Sequence, residues 1–137
     1  MSNDFEWIEL YNLGVLLLKS NDEVYLRTAI NRFYYAAFCQ ARDYLIENKI
    51  FYNNKYKKVL TTKEGNVHSA TQEIYFLSNK LNDKTSHYGK NISKKLYYLR
   101  EKRNIVDYNK NVNCDLFTLS EYCKVKSKAV LDSIDKL

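Results

Sequence analysis

Proline is absent from the 137 residues and glycine occurs only three times. A β-sandwich or barrel draws on both residues for its many tight turns, so long helices are expected instead. Long apolar runs are missing too: the longest, Leu13 to Leu18, falls far short of the roughly 20 residues of a membrane-spanning helix. No membrane span is expected. The three cysteines, Cys39, Cys114 and Cys123, are odd in number and include no Cys-x-x-Cys spacing, so they read as reduced thiols of a cytoplasmic protein. The acidic opening, Met1 to Glu6, lacks the basic and apolar stretch of a secretory signal. No Ser-His-Asp order, Walker loop, glycine-rich phosphate fingerprint or His-x-x-x-His spacing occurs, which leaves triad hydrolases, NTPases and zinc or other metal sites without support.

What is present suits one domain over residues 1–137: 45% hydrophobic residues supply a core, and 28% charged residues keep it in solution. The net charge is +6 and unevenly placed. Residues 1–23 carry five acids (Asp4, Glu6, Glu9, Asp22, Glu23) against Lys19. Residues 49–63 hold Lys49, Lys55, Lys57, Lys58 and Lys63 with no acid, and residues 84–103 hold Lys84, Lys90, Lys94, Lys95, Arg100, Lys102 and Arg103 against Glu101 alone. Such a basic field attracts polyanions, RNA or DNA first among them; a solvated lysine-rich surface is the plainer reading of the same charges.

The apolar periodicity predicts five helices. The first covers about Asp4 to Leu18, with Asn3 as cap, Glu6 in the first turn and Phe5, Ile8, Tyr11, Val15 and Leu18 inward. The second follows a capping-box pattern, Ser20 to Glu23, and runs to about Asn48 with Leu26, Ile30, Phe33, Ala37, Ala41, Tyr44 and Leu45 at three-four spacing. Residues 49–65 lose the period and read as a long loop. The third helix covers Val67 to Leu81 with Ile74, Leu77 and Leu81 inward; after the polar turn Asn82 to Ser86, the fourth spans His87 to Tyr108. The fifth, Asp115 to Leu137, is capped by Asn113 and striped by Leu116, Leu119, Cys123, Val130, Ile134 and Leu137. An antiparallel helical bundle buries five such stripes economically.

Arg103 is the most informative residue. It continues the stripe Ile92, Leu96, Leu99, so a guanidinium stands where a leucine is expected. Burying that charge requires a partner or a wet cleft. Asp107, one turn on, can pair with it, and Asn104 and Tyr108 lie alongside. A structural Arg–Asp pair locking two helices would use the same spacing. A second polar group, Asn31 and Arg32 beside Phe33-Tyr34-Tyr35, interrupts the second helix. Thirteen tyrosines suit either core filling or a wet groove in which bases stack beside Lys and Arg. His68 stands near the start of the third helix, where a neutral imidazole or a nearby anion is favoured.

Three segments, Arg27-Thr-Ala-Ile-Asn-Arg32-Phe33-Tyr34-Tyr35-Ala36-Ala37-Phe38, then Val67-His68-Ser69, then Leu99-Arg100-Glu-Lys-Arg103-Asn104-Ile-Val106-Asp107-Tyr108, together resemble the HEPN superfamily. The similarity spans about residues 23–110 and is greatest to small prokaryotic members with Tyr-Tyr-Ala-x-Phe, His-Ser and Arg-x-x-x-Asp-Tyr elements. The resemblance implies a four- to five-helix up-and-down bundle that commonly forms a homodimer, bringing two Arg helices together in a basic cleft. Many members are metal-independent endoribonucleases of toxin–antitoxin, CRISPR-associated or phage-defence systems, often encoded beside a nucleotidyltransferase partner. In those enzymes an Arg, frequently followed by Asn as Arg103 is by Asn104, precedes a His by four to six residues.

Here Tyr108 occupies the position of that histidine. A phenol with an ordinary pKa near 10 is a poor base at neutral pH, whereas an imidazole near 6.5 is well placed. Catalysis would then need His68 delivered to the cleft, or Tyr108 acting with Arg103 and with Asp107 as base. Arg103 would hold the scissile phosphate. Arg100, Lys102, Lys94, Lys95 and Arg32 would supply the nucleic-acid-binding surface. The expected functions are therefore a ribonuclease that drives 2′-hydroxyl attack, a noncatalytic module that binds nucleic acid, nucleotide or a nucleotidyltransferase, or a helical scaffold. The first two require no cofactor.

Overall fold

The computed structural model describes residues 4–137, which form six helices and no strand: α1 (Ile8–Leu17), α2 (Glu23–Glu47), α3 (Asn54–Thr62), α4 (Val67–Leu77), α5 (Tyr88–Tyr108) and α6 (Leu116–Asp135). None of these helices is long and apolar enough to cross a membrane. The chain is thus all-α as expected, with one helix more than the periodicity predicts.

α2 organises the packing and touches each of the other five helices. Of its predicted stripe, Leu26, Ile30, Phe33, Ala37, Ala41 and Leu45 are buried and Tyr44 is half-buried; Ala29, Tyr34, Ala36 and Phe38 are buried as well. A helix apolar on most of its circumference has to be surrounded, and its alanines allow neighbouring helices to approach closely. α1 closes against it through Tyr11 and Gly14, both on Phe33, and through Trp7, whose indole N–H donates to Asp43 at 2.6 Å. α6 adds Cys123, Val130 and Ile134, and its Ser127 hydroxyl donates to the Phe33 carbonyl at 2.7 Å.

The differences from the sequence reading concern helix ends. α1 begins at Ile8, with Phe5 exposed; the Glu9 carboxylate accepts from the Glu6 amide, and the proposed Asn3 cap lies outside the described residues. The capping box before α2 does not close, because Glu23 pairs with Arg27 instead. The expected loop at 49–65 contains α3: Asn53 caps it at Tyr56, Leu60 is buried with Tyr56 and Val59 half-covered, and Lys63 ends it in a left-handed conformation (φ 61°). Four lysines within or beside these positions obscure the short apolar spacing. α4 stops at Leu77, which is exposed, although Leu81 beyond it is buried. Asp115, rather than Asn113, caps α6 by accepting from Phe117 and Thr118, and Leu137 lies past its end, exposed.

The α4–α5 connection is held by Asn82. Its side-chain amide donates to the carbonyls of Tyr75 and Ser78, each at 2.9 Å, and its carbonyl accepts from the Lys90 amide at 2.8 Å. Gly89 sits in this joint because a methyl group there would press into the Tyr75 carbonyl oxygen and the Asn82 side chain. Gly89→Ala is therefore expected to lower unfolding stability by about 1–3 kcal/mol in chemical denaturation, the usual cost of overpacking. Stability equal to that of the parent chain would show that the joint yields.

Candidate functional site

The stripe of α5 ends as its spacing predicts, with Ile92, Leu96, Leu99 and Arg103 all on the buried side. Arg103 is 8% exposed and lies against two tyrosines of α2: its guanidinium carbon is 5.4 Å from the ring centre of Tyr34 and 5.2 Å from that of Tyr35. A desolvated cation over aromatic faces gains about 2 kcal/mol. Its carboxylate partner is Asp107, at 3.6 Å from Nη1, while Nε is buried with no hydrogen-bond partner. The same Asp107 oxygen accepts from the Asn31 amide at the shorter distance of 2.9 Å. The pair expected from i,i+4 spacing thus exists, but Asn31 takes the better geometry and the guanidinium keeps unused donors.

Tyr108 is 75% exposed, with its ring 5.9 Å from the Arg103 guanidinium. Arg27 orients this end of α5. Its two Nη groups donate to the carbonyls of Val106, Asn109 and Lys110, each at 2.7 Å, and its Nε donates to Glu23 at 2.9 Å. Val106 is among the carbonyls a helix C-terminus leaves without partners, Asn109 and Lys110 follow it in the chain, and a cation is favoured there.

His68, at the start of α4, shares Tyr34 with Arg103 but forms no hydrogen bond to Arg103 itself. The Tyr34 hydroxyl and His68 Nδ1 are hydrogen-bonded, and the imidazole stacks on Phe38 with ring centres 4.2 Å apart. Burial pushes the His68 pKa down to about 4, and Arg100, Arg103 and Arg42 reinforce the shift. Burial likewise raises the Tyr34 phenol and keeps it protonated. A protonated phenol donates to a neutral imidazole, so Nδ1 accepts and Nε2 carries the hydrogen.

Arg100, one turn before Arg103, donates to Ser69 Oγ at 3.1 Å. Both residues line an open cleft of about 380 Å³ between α4 and α5, together with Gln72, Glu73, Tyr97, Glu101 and Asn104. The remaining basic candidates lie elsewhere. Lys102 faces α6, 5.2 Å from the Tyr98 ring that Lys126 also covers. Lys94 is exposed and Lys95 partly so, neither with an ion-pair partner among the described residues. Arg32 has a buried Nε without a hydrogen-bond partner. The structure therefore gathers Arg103, Asn104, Asp107, Tyr108, His68 and Arg100 at one edge of α2, α4 and α5; Lys102 is joined to the cleft residue Glu101 at 3.6 Å, and among the described residues no ion pair or hydrogen bond brings Lys94, Lys95 or Arg32 to that edge.

Among the described residues, no group of three or more His, Cys, Asp or Glu side chains is placed to hold a metal ion. Burial raises the thiols of Cys39 and Cys123, the latter to about 12, and so keeps both unreactive. No family model matches the chain, and no curated protein or solved structure shows significant similarity to it.

Two outcomes follow. Arg27→Ala should lower stability by about 2 kcal/mol through the carbonyls it strands and speed amide hydrogen exchange over the last turn of α5; unchanged exchange would mean that the turn holds itself. His68 should titrate by NMR with a midpoint near 4. Because the folded value lies below the ordinary 6.5, the unfolded chain binds the extra proton between those limits. The stability held above pH 6.5 should therefore decline as the pH falls to about 4, more in the parent chain than in His68→Gln. A midpoint near 6.5 would refute the burial argument.

Proposed function

We propose that the chain is an RNA-acting protein of HEPN type, a single helical domain that holds backbone phosphate at Arg103. The observation that carries this reading is the guanidinium of Arg103, drawn into the tyrosine face of α2 with donors left over and Arg100 one turn away. Water would solvate such a cation more cheaply than this niche does, and a phosphate at the open edge would use the idle donors.

The helix pairings fit an up-and-down bundle. Trp7 meets Asp43, Arg27 meets Val106, and Ser69 meets Arg100, so these helix pairs run antiparallel, while α2 and α4, which meet at Tyr34–His68 and Ala41–Tyr75, run parallel with the short α3 between them. α3 would then be an addition to the expected four or five helices. A homodimer of the kind the resemblance implies would set two such edges opposite each other, and a nucleotidyltransferase would be a natural neighbour.

Binding without cleavage is the better-supported mode. The lone pair of His68 at Nδ1 is engaged by Tyr34, and an imidazole whose pKa is near 4 takes up little proton density at neutral pH. The ribonuclease reading of a toxin or defence system keeps one supporting feature. The Asp107 carboxylate and the exposed Tyr108 flank Arg103, where a second copy could complete a site without a metal.

A fluorescein-labelled single-stranded RNA, titrated in anisotropy at several salt concentrations, tests the reading. Arg103→Ala should weaken binding about tenfold or more and reduce the slope of log K against log salt by about one, while Arg103→Lys retains most of the affinity. Equal affinity and slope for all three proteins would reject phosphate binding at Arg103. In the same preparations, total RNA incubated in EDTA should stay intact; fragments produced by the parent chain but not by Arg103→Ala would establish the ribonuclease instead.

A further inference from the structure

We propose that the cleft between α4 and α5 is a base pocket selective for guanine; the inference rests on the RNA-acting role above and names the nucleotide that role would select. α4 contributes Gln72 and Glu73, and α5 contributes Tyr97, Arg100, Glu101 and Asn104, the latter at spacings of three, four and seven that place them on one face. Two carboxylates, two amides, a guanidinium and a phenol thus share about 380 Å³ of open space.

The charges in this space do not neutralise each other. Among the described residues Arg100 donates to Ser69 Oγ alone and makes no ion pair with Glu73 or Glu101, although all three line the cleft; Glu101 pairs instead through Oε1 with Lys102 at 3.6 Å, which leaves its Oε2 to the cleft. Glu73 is fixed through one oxygen, Oε2, by the Tyr56 hydroxyl at 2.6 Å, which leaves Oε1 free. A strong donor and two strong acceptors are consequently held apart around a common volume.

Guanine matches that separation. Its O6 and N7 both accept and suit a guanidinium, while its N1–H and exocyclic N2 amine both donate and suit a carboxylate. Adenine offers N7 and one amine but no second donor beside it, and the pyrimidines lack the paired O6 and N7 acceptors. Tyr97, 57% exposed at the rim, presents a ring on which the base can stack. Arg100, which lines the cleft, lies one turn before Arg103 on α5, and side chains three apart on a helix are neighbours, so a phosphate on Arg103 would sit beside a base held at Arg100.

The test is a titration of the full chain with the 5′-monophosphates of guanosine, adenosine, cytidine and uridine, read by NMR on the side-chain amides of Gln72 and Asn104. Guanosine monophosphate should bind about tenfold tighter than the other three. In Glu73→Gln and Glu101→Gln, whose spectra outside the cleft report an intact fold, its affinity should fall to that of the others. Equal affinity for all four nucleotides, or a preference that survives both substitutions, overturns the pocket. Polyuridylate, which has no guanine, separates the two claims: its binding without any guanosine preference overturns the pocket alone. A guanosine preference with no polyuridylate binding keeps the pocket and overturns the RNA reading.

Discussion

The cost of taking a guanidinium out of water governs the contact between α2 and α5. Arg103 occupies a position where leucine would pack without penalty, and the surroundings answer its charge with soft partners: two tyrosine faces, a carboxylate at 3.6 Å and no close hydrogen bond. Buried ions are normally answered by short hydrogen bonds, because their desolvation exceeds what distant charges return. Here Asn31 takes the nearest oxygen of Asp107, which leaves the cation only partly satisfied. Residues around it follow from that constraint: tyrosines rather than phenylalanines on α2, a protonated phenol on His68, and a second arginine one turn back, tied to a serine rather than to a carboxylate.

Burial also divides the imidazole's two usual roles. Stacked on Phe38 and held by Tyr34 among three arginines, His68 serves as a flat ring with one N–H rather than as a base. The residue best suited by type to acid–base work is thereby made part of the packing, and the chemistry of the edge passes to cations and aromatic faces.

Much of the fold was legible in the sequence because helix periodicity is a local property. The α2 stripe, the α5 stripe through Arg103 and the closeness of Asp107 all follow from three-four spacing, and each is found in the structure. α3 was hidden by lysines that dilute a short apolar pattern, and the caps were misplaced because Asp115 and Asn113 are equally good cap residues by type. The site was legible only in part. That Tyr34 touches both Arg103 and His68, that Arg27 reaches the end of α5, and that Gln72 and Glu73 face Arg100 depend on how separate helices are registered, and no spacing within one helix reports it. Lys102 illustrates the converse: next to Arg103 in number, it is turned toward the Tyr98 ring instead.

α3 gives the cleft an unequal pair of walls. Nine residues long, with Leu60 as its one buried side chain, it has little area to lose on detaching from the core, which favours its local opening. Yet it carries Tyr56, the hydroxyl that fixes Glu73. The α4 carboxylate is therefore only as ordered as this short helix, whereas Arg100 and Asn104 are built into α5, which Arg27 clamps at its end. Local unfolding of α3 would release one acceptor while the cationic wall stayed in place, coupling the cleft's balance of charge to a fluctuation of its neighbour.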